Sequence, residues 1–365
     1  MIIRAVDAHS SGAPCRTVVG GLEELNITGR TMLAKKQYIQ QNLDWLRTAL
    51  LQEPRGHPAL NADLVLPPCD PRADVGLVIL NQRPVGPLMS GGNILAFVTA
   101  ILEAGVLPMN PEHAVTTVRV DTPGGLVVAR ATCHRGKVVD VAIENVPAYA
   151  THLDAPLDVD GIGRLTVDVA YGGMMYLMVP AEALGVEIRP EYAAEIGHLG
   201  ERVRAAANQA LTVDNPVGAG LSGVVDQVLV YGSPHSPENS GRSAVVMPML
   251  PGPPTFATGV TTLIDRCPCG TGTSAQAATL VAKGRLAIGE VFRQESIIDG
   301  VYSVKPLRHV NSNGRSAIVP ELRGTAHVFA RSEIVIDDED PLAHGFRVGD
   351  MWPGHADAVS AGARA

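Results

Sequence analysis

The chain has 365 residues, more than twice the ~150-residue unit common for one domain, so two domains are expected. Apolar residues make up 46% and charged residues 18%, which supplies a buried core and excludes a mainly disordered chain. With 29 basic against 37 acidic residues, a formal charge of −8 and 4% aromatic residues, it lacks a cationic surface for phosphates and a supply of stacking platforms, so nucleic acid is not an expected partner.

From the N-terminus, Val- and Ile-rich runs separated by Gly, Pro and Asp predict strands at Ile2–Asp7, Arg16–Val19, Val75–Leu80, Ala114–Val120 and Gly125–Arg130. The same pattern continues at Val138–Glu144, Leu165–Val169, Met175–Val179 and Gln227–Tyr231. Helical periodicity is confined to Lys35–Leu50 after Thr31, Ile94–Ala104, Glu191–Leu211, and Ala275–Lys283 ending at Gly284. The result is an α+β class built on antiparallel sheets or barrels. The first residues meet a charge at Arg4, and the longest apolar run, Ile94 to Leu102 with one Thr, falls short of the ~20 residues of a membrane span. No membrane partner and a cytoplasmic location are expected. The five cysteines, Cys15, Cys69, Cys133, Cys267 and Cys269, lack C-x-x-C spacing, so neither a disulfide framework nor structural zinc is favoured.

Two segments organise the chain. Ser90-Gly91-Gly92-Asn93 runs into the apolar helix from Ile94, and Cys269-Gly270-Thr271-Gly272-Thr273 runs into the helix through Ala275. Each combines a nucleophile-type side chain, a glycine-rich turn and a helix apolar enough to be buried. Ser90 and Cys269 lie 179 residues apart, almost half the chain, which predicts two similar halves. The expected domains are 1–145 with a return over about 335–365, and 146–334. Free N–H groups and the positive helix end suit such turns to a carboxylate, and the same field favours a thiolate. Taken singly, Ser90 also suits an N-cap and Cys269 a small buried apolar residue; the matched contexts favour function for both. A P-loop reading fails for want of a Lys after Gly272, and a dinucleotide reading fails because Gln276 and Ala277 break G-x-G-x-x-G. A metal at Cys267-x-Cys269 lacks a second ligand cluster nearby in sequence.

The segment Asp265-Arg266-Cys267-Pro268-Cys269-Gly270-Thr271-Gly272-Thr273-Ser274-Ala275 resembles the D-R-S-P-C-G-T-G-T-S-A signature of the proline racemase family, which includes hydroxyproline 2-epimerases and trans-3-hydroxy-L-proline dehydratases. Asp7-Ala8-His9-Ser10-Ser11-Gly12-Ala13-Pro14-Cys15-Arg16 is similar to its D-x-H-x-x-G-x-P-x-R, and Pro54-Arg55-Gly56-His57 to its P-R-G-H. Asp168-Val169-Ala170-Tyr171-Gly172-Gly173-Met174-Met175-Tyr176 resembles D-x-A-[FY]-G-G-x-x-[FY]. The resemblance implies two domains of the diaminopimelate-epimerase-like fold, an imino acid in the cleft between them, no cofactor, and a homodimer. It implies Ser90 and Cys269 as the paired acid/base positions, the N–H groups of Gly91, Gly92, Gly270 and Thr271 as the carboxylate clamp, and Asp265 as the ligand of the ring ammonium.

Three departures bear on the reaction: Ser90 stands where racemases and epimerases usually carry Cys, Gly92 replaces a common His, and Met174 replaces a residue often polar. A serine hydroxyl is far less acidic than a thiol, so two-base inversion is handicapped. In trans-3-hydroxyproline the α-hydrogen and the hydroxyl share one ring face, so one group can take the proton and return it to the leaving hydroxyl. The expected activity is therefore dehydration of trans-3-hydroxy-L-proline, with 4-hydroxyproline 2-epimerase as the same-family alternative and proline racemase behind both. From another class stands a non-catalytic imino-acid-binding protein that kept the clamp. His9 and His57 read as structural, Cys15, Cys69 and Cys133 as incidental thiols, and Cys267 as a neighbour of the site. The stretches His235–Gly241 and Pro251–Pro254 read as loop punctuation.

Overall fold

The computed structural model describes residues 1–84, 86–214, 223–248, 262–348 and 351–352, so the 251–254 punctuation and about half of the C-terminal return lie outside the described residues. The chain divides into two compact units, Met1–Val141 with Thr325–Ala365, and Ala142–Gly324.

In the first unit, strands β1 (Ile2–Ser10) and β2 (Ala13–Gly20) form a hairpin whose turn holds Ser11 and Gly12 at positive φ. The crossover from β2 carries helices α1 (Met32–Asn42) and α2 (Asp44–Leu51), and returns as β3 (Asn61–Leu66), parallel to β2. Strand β4 (Val75–Leu80) pairs antiparallel with β3, helix α3 (Gly91–Glu103) follows, and β5 (Val115–Thr122) returns parallel to β4 and turns into β6 (Gly125–His134). Strand β7 (Lys137–Glu144) carries the chain into the second unit.

The second unit repeats that order. After β8 (Tyr149–Val159), strands β9 (Gly163–Tyr171) and β10 (Met175–Pro180) form a hairpin, and a crossover through helix α4 (Ala193–Ala210) leads to β11 (Gln227–Gly232), parallel to β10. Strand β12 (Gly241–Pro248) pairs antiparallel with β11, and short β13 (Thr262–Ile264) precedes helix α5 (Gly270–Ala282). Strand β14 (Phe292–Glu295) then returns parallel to β12 and turns into β15 (Val301–Ser312), which pairs with β16 (Arg315–Gly324). Hairpin, helical crossover, parallel return, buried helix and parallel return occur in the same order in both units. The last strand, β17 (Ala326–Val335), pairs with β1 and belongs to the first unit, so the return comes about ten residues before the position near 335 expected from sequence.

Burial explains the layers. Strands β1 to β4 turn Ile3, Ala5, Val18, Ala62, Leu64, Val78 and Leu80 toward α1 and α2, and their opposite face toward α3, where Val6, Ala8 and Cys15 meet Ala96 and Ala100. Every residue of α3 from Gly91 to Leu102 is buried, which accounts for its lack of a polar face. In the second unit α4 covers a core of Val203, Ala207, Val228, Val230 and Val246, while α5 packs with Ala170, Tyr176, Met178, Leu229 and Val245.

The helix expected over Lys35–Leu50 is two helices, broken at Leu43 where ψ is 27°. Asn42 turns its amide back to the Tyr38 carbonyl at 2.9 Å, and Asp44 opens the new helix on Arg47 at 2.7 Å. Strands β3, β8 and β12 to β17 go beyond the predicted set; in β3 and β12 the polar residues Asp63 and Arg242 are themselves buried, so no two-residue alternation marks them. No described helix is long and apolar enough to cross a membrane.

The turn between β9 and β10 supports α5 by close approach. A Cβ on Gly172 would overlap the Thr271 carbonyl oxygen and crowd the Ala275 nitrogen. Gly172→Ala is therefore expected to cost about 1–3 kcal/mol of stability by overpacking, read as a melting temperature several degrees lower. An unchanged melting temperature would show that the turn is not held against α5.

Candidate active site

In the second unit, the predicted residues Asp265, Cys269, Gly270 and Thr271 come together at the start of α5. Cys269 is the N-cap residue, with φ 66° and ψ 107°, an unusual backbone for a side chain with a Cβ. Its thiol does not cap the helix. It lies 3.2 Å from the Tyr176 hydroxyl and 3.6 Å from the Thr271 hydroxyl, and those two hydroxyls are 2.6 Å apart. The opening turn is fixed from outside the helix as well. The Asn145 amide donates to the Ser274 hydroxyl at 3.0 Å and to the Gly172 carbonyl at 3.3 Å, and Ser274 donates to the Gly270 carbonyl at 2.8 Å. Asp265 accepts from the Cys267 amide at 3.1 Å and the Cys267 thiol at 3.3 Å.

Position at a helix N-terminus was expected to favour the thiolate; the balance of forces runs the other way. Burial pushes the Cys269 thiol up to about 11, and the negative charge of Asp265 adds to it, outweighing the hydrogen bonds from Tyr176, Gly272 and Thr271. Burial likewise raises Cys267, Asp265 and Tyr176. Without substrate, Cys269 is a neutral thiol beside a neutral phenol. A cation placed against Asp265 would remove the repulsion and ease loss of the thiol proton.

In the first unit, Ser90 is the N-cap residue of α3 with extended backbone (φ −144°, ψ 125°), followed by Gly91 and Gly92 as the first two helical residues. The Ile94 amide closes the first turn on the Ser90 carbonyl at 3.0 Å, but the Ser90 side chain makes no capping hydrogen bond. The bland reading of Ser90 as a cap is thereby removed. Both turns thus place a nucleophile-type side chain at the N-cap position, ahead of N–H groups that have no carbonyl four residues back.

The remaining sequence candidates divide cleanly. His9 accepts from the Gly12 amide at 3.2 Å, stacks with Phe329, and has its pKa lowered by burial and by His327, which makes it a structural neutral histidine. Asp7 and Arg16 pair at 2.9 Å across the β1–β2 hairpin, and Arg16 reaches the carbonyls of Leu50 and Arg55, so the first and second motifs clamp the hairpin to α2. In the His235 loop, the amides of His235 and Ser236 both donate to Glu295 at 2.7 Å. Sequence reasoning missed Tyr176 and Asn145 as site residues. Tyr176 closes the fourth motif, and the signal was its two-residue alternation from Met174 toward the same face as the helix. Asn145 carries no local signal, since its role depends on contact with Ser274 far along the chain. Among the described residues no cluster of His, Cys, Asp or Glu is arranged to hold a metal.

A model of the proline racemase family matches residues 5–347. The proline racemase of Clostridioides difficile is 36% identical over 345 residues, covering 94% of this chain and 97% of that protein. Among solved structures, a hydroxyproline epimerase from Agrobacterium vitis with bound trans-4-hydroxy-L-proline superposes with a TM-score of 0.84 at 31% identity, covering 98% of each chain. A probable proline racemase from Agrobacterium radiobacter with bound carbonate gives 0.82 at 31% identity, covering 96% of this chain and 98% of that one. The family match and these likenesses define an amino-acid racemase- or epimerase-type enzyme. The chain belongs to the proline racemase family.

The effect of Asp265 on the Cys269 thiol is directly measurable. In a Cys267→Ser background, iodoacetamide labelling of Cys269 at mildly alkaline pH is expected to speed up about tenfold in Asp265→Asn, corresponding to a fall of about one pKa unit. A rate that stays the same or falls would show that Asp265 does not hold the thiol neutral.

Proposed function

We propose that this chain transfers the Cα proton of a hydroxyproline through Cys269, and that the reaction it favours is dehydration of trans-3-hydroxy-L-proline. The observation that carries the choice is Ser90: an uncommitted hydroxyl at one turn against a thiol with a proton-sharing partner, Tyr176, at the other. The turn amides of Gly91, Gly92, Gly270 and Thr271 are proposed to bind the carboxylate, and Asp265 the ring ammonium.

The order of events follows from charge. A free thiol at about 11 leaves roughly one part in a thousand ionised at pH 8, a handicap of about 4 kcal/mol. The substrate ammonium neutralises Asp265, lowers the Cys269 pKa and acidifies the Cα–H at once. The thiolate takes the proton, the C–H electron pair forms the C2–C3 double bond, and the 3-hydroxyl leaves with the returned proton as water. Tautomerisation of the enamine gives pyrroline-2-carboxylate. One acid/base group serves both proton steps, because hydrogen and hydroxyl share a ring face.

A second reading is supported by the Agrobacterium vitis relative, a hydroxyproline epimerase with trans-4-hydroxy-L-proline bound. Inversion at C2 would then use Cys269 on one face and the Ser90 hydroxyl as proton donor on the other, with the reverse direction slowed by the weak acidity of serine.

Separate incubations with the two substrates discriminate the readings. Formation of the cyclic imine from trans-3-hydroxy-L-proline, with slower inversion of trans-4-hydroxy-L-proline, is expected. Ser90→Cys, which supplies a second thiol, is expected to raise the ratio of inversion to dehydration at least about tenfold. Absence of imine together with efficient inversion by the unaltered chain would overturn the dehydratase reading in favour of the epimerase.

A further inference from the structure

The internal repeat allows the two turns to be compared position by position. Tyr176 lies opposite the first residue of β11, Gln227, and Cys15 lies opposite the first residue of β3, Asn61, so Cys15 occupies the place that Tyr176 fills in the second unit. The third residue of β11 is Leu229, and a Cβ added to Gly272, the third residue of α5, would meet it at 3.2 Å. The third residues of β3 and α3 are Asp63 and Asn93. An apolar contact in one half is thus a carboxyl–amide pair in the other: Asn93 Nδ2 donates to Asp63 Oδ1 at 2.9 Å, both side chains being buried.

This pair sits where it can govern the Ser90 turn. Asn93 is three residues after the N-cap, the position from which a polar side chain reaches back to the cap amide while the N-cap hydroxyl bonds forward, in a reciprocal box. Neither half of that box forms. Ser90 makes no capping bond, and the Asn93 amide is drawn to Asp63 instead. Among the described residues Asp63 meets no charged partner: β2 presents Cys15 and Thr17, β4 presents Ile79, and α3 presents Asn93. Burial accordingly holds its carboxyl up at about 7, against the lowering effect of Asn93 and Cys15.

We propose that Asp63 is a positioning residue for the Ser90 turn: by holding Asn93 it keeps the first turn of α3 uncapped, leaving the Ser90 hydroxyl and the Gly91 and Gly92 amides free to meet substrate. Ionised, the carboxyl is the stronger acceptor for Asn93, so the turn is held more firmly as pH rises through neutrality and loosens as it falls. The proposal rests on the functional reading given above for Ser90.

The test pairs an activity readout with one that needs no substrate. In protein labelled with 15N-glycine, the Gly91 and Gly92 amide signals of the unaltered chain are expected to titrate near neutral pH, and in Asp63→Asn to stay fixed. Asp63→Leu, which copies the second unit, is expected to lower kcat/KM about tenfold to a hundredfold, with part of the loss in KM because the Gly91 and Gly92 amides take the carboxylate. Asp63→Asn keeps an acceptor for Asn93 and is expected to retain activity while losing the neutral-pH inflection of its profile. Gly91 and Gly92 signals that do not titrate, or that titrate identically in Asp63→Asn, would overturn the proposal. If no hydroxyproline is exchanged by the unaltered chain, the functional reading fails, and the amide titration still decides the role of Asp63.

Discussion

Desolvation of a helix N-terminus is the constraint on which the rest of this structure depends. Helices α3 and α5 are buried from their first residues, and a buried first turn leaves N–H groups without partners. Such groups are costly unless something accepts from them, and ordinary proteins spend a Ser, Thr, Asp or Asn cap on the problem, as Thr31 does for α1 at 3.1 Å. Here neither Ser90 nor Cys269 is used that way. A turn kept uncapped and dry is suited to an anion that comes and goes.

The same desolvation sets the chemistry of the reactive groups. Dipole and amide fields favour a thiolate at Cys269, yet burial and Asp265 prevail and keep it protonated at rest. That resting state is protective, because a neutral thiol is a poor nucleophile toward oxidants and adventitious electrophiles. Activation then belongs to the substrate, whose own ammonium cancels the opposing carboxylate. The two halves solve the support of their turns differently. One uses Tyr176, Thr271 and Asn145, and the other Asp63, Asn93 and Cys15, so a repeated architecture carries two unlike environments.

Much of this was legible in the chain before folding was considered. Two glycine-rich turns running into apolar helices, half a chain apart, announced both the repeat and the positions of Ser90 and Cys269. Helices α3 and α5 begin three and five residues earlier than periodicity suggested, because glycines that weaken an isolated helix are tolerated where packing decides. The supporting shell was not legible. Asn145 and Ser274, like Asp63 and Asn93, are brought together by strand register, and no local pattern marks an aspartate inside a buried strand as a partner of a helix thirty residues on. Nor did spacing foretell the sign of the Cys269 shift, which depends on how deeply the turn is buried.

The central claim is that Cys269 carries the Cα proton. It is tested most directly by incubating the chain with hydroxyproline deuterated at Cα and measuring, by mass spectrometry, loss of that deuterium from the substrate and product pool. Release of the label by the unaltered chain, reduced at least about a thousandfold in Cys269→Ala with the melting temperature preserved, is the result this account predicts. Undiminished release by Cys269→Ala would contradict it.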